Sequence, residues 1–328
     1  MVVLFGLFLL TLLVITALGI VNADNLFAAV MLMGIFSLQM AAIFFVLDAA
    51  DVALTEAAVG AGVATMLLLG ALALTKDKEK RRRRRRWPAI VIVTVTTLMM
   101  IYATFDMPRL GDPQAPVHQH VAPWYLSETP KVIDIPNVVT AILASFRGYD
   151  TLGEVFVIFT AGVGVMFILA NGSGNGRRTM VPSADSTGLR HHLVPRVVGR
   201  LLVPFIVLFG LYVQFHGEYG PGGGFQAGAL ISAGLILYAL VEGEKEALRA
   251  IPLSVLVGMI AFGAFLFGAV GVVGMLFGGN FLDYSVLLSN PVAGQHLGIM
   301  LVELGVGITV TGVLLTIFHT IAARRKDH

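Results

Sequence analysis

The apolar residues of this chain are gathered into runs of roughly twenty, the length an α-helix needs to cross about 30 Å of hydrocarbon. No other feature constrains the fold as much. Inside a bilayer every backbone N–H and C=O has to be satisfied within the segment, so such runs are helices. The shorter alternating runs of an outer-membrane barrel are absent. Nine spans are expected, at about 2–21, 25–47, 52–75, 88–106, 150–170, 198–216, 224–242, 251–276 and 293–321. The fold class is all-α, a polytopic transmembrane helical bundle. Charged residues make up 13% of the chain, against about 25% in a soluble domain. With a mean hydropathy of +0.86, an ordinary cytosolic fold is excluded. The first run begins at Val2 with no basic residue before it, which reads as a retained helix rather than a cleaved signal peptide.

The basic residues orient the bundle, because cytoplasmic loops collect Lys and Arg. Lys76, Lys78, Lys80 and Arg81 through Arg86 follow the third span. Arg177, Arg178, Arg190, Arg196 and Arg200 follow the fifth or open the sixth. Lys245 and Arg249 follow the seventh, and Arg324, Arg325 and Lys326 close the chain. The opposite side keeps only Arg109, Lys131 and Arg147. This split requires an odd number of spans, the N-terminus outside and the C-terminus cytoplasmic. An arginine run such as 81–86 can bind nucleic acid. Between two spans it reads instead as an anchor to anionic lipid, and no nucleic-acid partner is expected.

The segments between spans differ in character. Residues 107–149 carry six prolines, so their first part is not one long helix. Trp124 and Tyr125 suit the headgroup level. His118 and His120 have no third ligand nearby and read as exposed loop rather than a metal site. The apolar stretch 137–146 is expected to lie on the surface as a short helix. Residues 171–195 begin with a Gly/Ser/Asn run and read as a flexible cytoplasmic linker. They divide the chain into a five-span module, 1–170, and a four-span module, 196–328. The chain has no cysteine, which excludes disulfides, thiolate metal sites and iron–sulfur clusters. Neither a cofactor nor a metal of its own is expected, and redox chemistry would sit on another chain.

Carboxylates within spans are costly, about 2.5–3.5 kcal/mol each on insertion scales, and are functional candidates by default. Asp48 and Asp51 flank the turn between spans two and three, where they could instead cap helices. Glu56 lies deeper. In Arg147-Gly-Tyr-Asp150-Thr-Leu-Gly-Glu154, Arg147 and Glu154 share a face if the stretch is helical. Thr151 and Glu154 also fit a capping box, and Arg147 could pair with Asp150. In His216-Gly-Glu218-Tyr-Gly-Pro221-Gly222-Gly223-Gly224, the glycines and proline cannot continue a helix. Broken backbone at membrane depth has to be buried in protein or line water, so a tight or re-entrant connection is expected, with His216 and Glu218 beside it. His296 and Glu303 share a face of the last span. Gly274 and Gly278 have the spacing of a close helix contact.

These motifs resemble a known family. Asp51-Val-Ala-Leu-Thr-Glu56 and Phe146-Arg147-Gly-Tyr-Asp150-Thr-Leu-Gly-Glu154 are similar to the C-terminal region of the large A subunit of Mrp-type antiporters. That region is shared with small membrane subunits of membrane-bound hydrogenases and is related to complex I. Phe215 through Phe225, and His296 through Glu303, resemble the B subunit. The resemblance implies a fusion: an A-tail-like 1–170 joined to a B-like 196–328. It implies a subunit of a multisubunit Na+/H+ antiporter in the cell membrane rather than an enzyme, with large antiporter-like subunits as partners. It further implies an ion or proton path lined partly by Glu56, Glu154 and Arg147. The path candidates are Glu56, Arg147, Asp150, Glu154, Asp51, His216, Glu218, Glu303 and His296. The family's large subunits carry buried lysines, whereas no lysine lies in any span here. A membrane arm of a hydrogenase or respiratory complex, and a purely structural assembly subunit, are the alternatives.

Overall fold

The computed structural model describes residues 2–72, 87–109, 111–170 and 193–324. The basic run 81–86 and nearly all of the 171–195 linker lie outside the described residues. Nine helices among the described residues are long and apolar enough to cross a membrane. They are α1 (Val2–Asn22), α2 (Leu26–Val46), the composite Ala50–Leu72, α5 (Trp87–Thr104), α9 (Gly148–Ala170), α10 (Leu193–His216), α11 (Gly224–Glu242), α13 (Leu253–Leu276) and α14 (Pro291–Arg324). The composite span is α3 (Ala50–Thr55), a π-helical stretch Glu56–Ala64 and α4 (Thr65–Leu72). Short helices α6 (Pro116–Gln119), α7 (Val121–Val132) and α8 (Val138–Thr140) fill the long connection before α9. A further short helix, α12 (Glu244–Ala250), follows α11.

The 34-residue α14 is the axis of the bundle. It packs against α13, α11 and α9, and is the most buried span. Small residues let these helices approach. A methyl group on Gly228 would sit 2.8 Å from the Gly307 carbonyl. One on Gly263 would meet the Gly305 carbonyl and lie 2.8 Å from the Thr309 amide. The expected close contact at Gly274 and Gly278 takes a different form. Gly278 lies beyond the end of α13 with φ +89° and open space where a Cβ would stand, so it turns the chain. Gly274 faces the loop carbonyl of Asp283 instead of another helix.

At the periphery, α1 packs on α2, and α2 packs on the composite span. Helix α5 has no buried residue. A helix apolar on every side and covered by nothing among the described residues is a lipid- or subunit-facing span.

Residues 137–146 do not lie on the surface as the sequence suggests. After α8 the chain continues as a π-helical turn, Ala141–Phe146, inserted into the core. Ala141 and Ala144 are fully buried beside Ile133, Ile135 and Tyr284. Its polar groups explain the insertion. Tyr284 donates its hydroxyl proton to the Ala144 carbonyl at 2.9 Å, and burial pushes that hydroxyl's pKa above its ordinary value. Thr151 donates to the Leu143 carbonyl at 2.8 Å.

Candidate functional site

The break between α10 and α11 is where the two halves of the chain meet. Gly223 has φ +120°, a region closed to residues with a Cβ. Its amide donates to the Val213 carbonyl at 3.1 Å, folding the Pro-Gly-Gly-Gly run back onto the end of α10. A side chain on Gly222 would lie 2.7 Å from that same carbonyl. Several of the turn's other polar groups are satisfied from the N-terminal half. The Gly222 amide donates to Asp51 Oδ1 at 3.2 Å. Asn137 Nδ2 donates to the carbonyls of Gly217 (3.0 Å) and Gly220 (2.9 Å). Thr140 donates to the Gly217 carbonyl at 2.7 Å, and Gln226 donates to Thr55 at 2.9 Å.

Behind this turn lies a chamber of about 330 Å³. Its polar side chains are Glu218, His296, Glu303, Thr140, Gln214 and Tyr219. It is large enough to admit several waters, each needing about 10–15 Å³. His296 Nδ1 and the Glu218 carboxylate lie 2.9 Å apart. Glu303 is twelve residues into α14, roughly 18 Å along the axis, and accepts a hydrogen bond from the Gly224 amide. That amide belongs to the first residue of α11, where the free N–H groups and the helix dipole favour a carboxylate. The arrangement is a water-sized recess with a histidine–carboxylate pair on its wall and a second carboxylate facing it from within α14. Such groups can exchange protons with water or share a small cation.

The chain's other candidates are placed elsewhere. Asp51 joins the cluster through the glycine turn. Glu56 opens the π-helical stretch of the composite span. Its carboxylate and the Ser37 hydroxyl sit 2.6 and 2.7 Å from where a Gly60 side chain would stand. Arg147 and Asp150 form an ion pair, both exposed. Arg147 precedes the first residue of α9, so the helical condition for sharing a face with Glu154 is not met. Glu154 is exposed one to two turns on. The alternative of a Thr151–Glu154 capping box is not formed, since Thr151 lies inside α9 and bonds Leu143. His216 stacks on Tyr212 at 4.8 Å beside the turn and does not line the chamber.

Sequence reasoning missed Asn137, Thr140 and Gln214. Asn137 had a readable signal, an Asn directly ahead of an apolar run, which is a helix N-cap signature. Its side chain caps α8 by accepting from the amides of Val139 and Thr140. Also missed was the ion pair at the far end of α11, where Glu242 meets Arg200 and Arg196.

Comparison with known proteins gives three consecutive stretches. Residues 11–77 match the MbhD family and residues 81–188 match the MbhE family, both families of MBH subunits. Residues 194–316 match the domain related to the MnhB subunit of Na+/H+ antiporter. The protein named antiporter subunit mnhB2 from Staphylococcus aureus (strain Newman) is 35% identical over 137 residues, covering 41% of this chain and 96% of that protein. A chain of the Mrp complex from Dietzia sp. DQ12-45-1b superposes with a TM-score of 0.77 at 28% identity, covering 96% of this chain. This chain spans 34% of that one. A chain of the archaeal membrane-bound sulfane sulfur reductase superposes with a TM-score of 0.52 at 27% identity, covering 70% of this chain and 97% of that one. With nearly the whole length of a B-type relative aligned at this identity, and MbhD-like and MbhE-like stretches ahead of it, the chain belongs to the family of MnhB-related antiporter subunits.

Proposed function

We propose that the chain is a multi-pass subunit of a Na+/H+ antiporter complex in the cell membrane, and that it supplies part of the proton or cation path. The observation that carries this reading is the chamber ending on Glu303. A carboxylate this deep in the bundle, facing a space large enough for water, is built to titrate or bind a cation rather than to pack. The partners are the other subunits of the complex, including large antiporter-like ones that provide the buried lysines this chain lacks. The N-terminus is outside and the C-terminus cytoplasmic.

The test is Glu303→Gln in the whole complex. Gln still accepts from the Gly224 amide but cannot gain or lose charge, so the complex should assemble. Exchange should fall about a hundredfold, the usual scale of a lost general acid–base group. Glu303→Asp should keep part of the activity. Exchange at the wild-type rate in Glu303→Gln membranes with normal complex levels removes the chamber from the path.

The likeness to the sulfane sulfur reductase chain, together with the MBH-type stretches, supports a second reading as a membrane-arm subunit of a redox complex. Purifying the native complex separates the two, because a partner carrying nickel or iron–sulfur clusters belongs to the second alone.

A further inference from the structure

Helix α14 carries a second histidine at its other end, and this one is buried. His319 lies twenty-three residues after His296, roughly 35 Å along the axis. It is buried, and its Nδ1 has no hydrogen-bond partner among the described residues. An unpaired ring nitrogen out of reach of water is costly, so either something fills the gap or the site is strained. His319 lines a cavity of about 20 Å³ together with Tyr238, Ala247, Ala250 and Ile251. One water needs about 10–15 Å³, so this cavity holds one. Ala247 and Ala250 belong to the last turn of α12 and Ile251 follows it; the Ala247 carbonyl accepts from the Ile251 amide at 2.9 Å, and the carbonyls after it have no partner within the helix. Ala250 is exposed, so one wall of the cavity reaches the molecular surface.

No carboxylate lines this space, and its remaining walls are apolar. That argues against a metal cation and for a neutral hydrogen-bonding molecule. The charged groups nearby come from three elements. Tyr238 and Glu242 are on α11, Glu242 being paired with Arg196 and Arg200 of α10. Glu244 of α12 is buried within electrostatic reach of His319. Helices α13 and α4, which also pack on α14, bring no titratable group.

We propose that His319, Tyr238 and the end of α12 hold a single buried water, and that this unit is a proton-exchange station at the end of the bundle opposite the Glu303 chamber. In the exchange the water gives a proton to Nδ1 and regains one from solvent at the α12 end. The reverse steps release it. The water itself stands on the cavity and the orphaned nitrogen, and only the exchange role rests on the antiporter reading.

Hydroxyl-radical footprinting of the purified native complex, read by mass spectrometry, tests the water without reference to transport. His319 should be oxidised despite its burial, alongside the exposed control Tyr219, and the His319→Phe variant should lose at least half of the labelling at Tyr238. In vesicles carrying the complex, His319→Phe should slow exchange about tenfold or more and flatten its dependence on pH between about 5 and 8, the range in which histidine titrates. Tyr238→Phe, which removes one hydroxyl and little volume, should slow exchange less and serves if His319→Phe fails to assemble. An unlabelled His319 beside a labelled Tyr219 overturns the water. A labelled His319 with a wild-type pH profile in His319→Phe, or in Tyr238→Phe where the first does not assemble, overturns the station.

Discussion

Asn137 performs two tasks with one side chain, and both hold the chamber wall. Its oxygen caps α8, and its amide satisfies two carbonyls of the glycine turn 80 or more positions away. Asn137→Ala would remove the α8 cap and leave the part-buried carbonyl of Gly220 without this donor, while the Gly217 carbonyl keeps Thr140; a buried group left unsatisfied costs roughly 1–3 kcal/mol. The purified complex carrying Asn137→Ala should therefore unfold at a clearly lower temperature than wild type. An unchanged melting temperature would mean that the turn is held by other contacts. Single residues of the site were legible because an acid or histidine in an apolar run stands out. Their partners were not. Glu218 and His296 are 78 positions apart, and no local pattern joins them. The Arg147–Glu154 stripe failed for a local reason, since the helix begins one residue after Arg147, which turns to Asp150.

Among the elements, the long spans were readable to within a few residues because hydrophobic length alone defines them. The π-helical stretches at Glu56–Ala64 and Ala141–Phe146 were not. A π turn differs from an α turn by one residue, and the apolar pattern does not register that. Which glycines serve helix contacts was also hidden, because spacing does not say which face meets a neighbour. The structure separates two kinds in α13. Gly263 lies against the backbone of α14, whereas Gly258 and Gly268 have nothing within 4 Å. Gly263→Ala should destabilise the protein by roughly 1–3 kcal/mol, the usual scale of overpacking. Gly258→Ala should be neutral, or stabilising by about 0.5–1 kcal/mol through helix propensity. Thermal unfolding of the two variants side by side is the measurement. Equal effects would show that α13 and α14 do not pack at the Gly263–Gly305 crossing.

At the scale of the whole molecule two expectations remain to be tested, the orientation and the division into modules. The cysteine-free chain suits the first, because any added thiol is unique. A cysteine at position 118 should react with an impermeant reagent from outside and one at position 245 only from the cytoplasm, and the reverse pattern would invert the topology. The second is the more demanding. The S. aureus relative consists almost wholly of the B-like part, and the matched stretches leave a gap between residues 188 and 194. In this chain the contacts across that gap are extensive and noncovalent. Helix α9 packs on α14, the π-helical part of the composite span packs on α11, and Asp51, Thr55, Asn137 and Thr140 bond the α10–α11 turn and the first turn of α11. A covalent link should then add effective concentration, which is millimolar for a short flexible linker, and no contact of its own. Cutting the gene between codons 188 and 194 and expressing both parts together should give a complex that copurifies and exchanges ions at a rate close to that of the intact chain. Adding Asn137→Ala to the split form should weaken copurification far more than it weakens the fused chain, since the interface alone then holds the parts. If the split halves fail to associate while each is present in the membrane at normal levels, the glycine-turn interface is not what joins the modules, and the linker is structural.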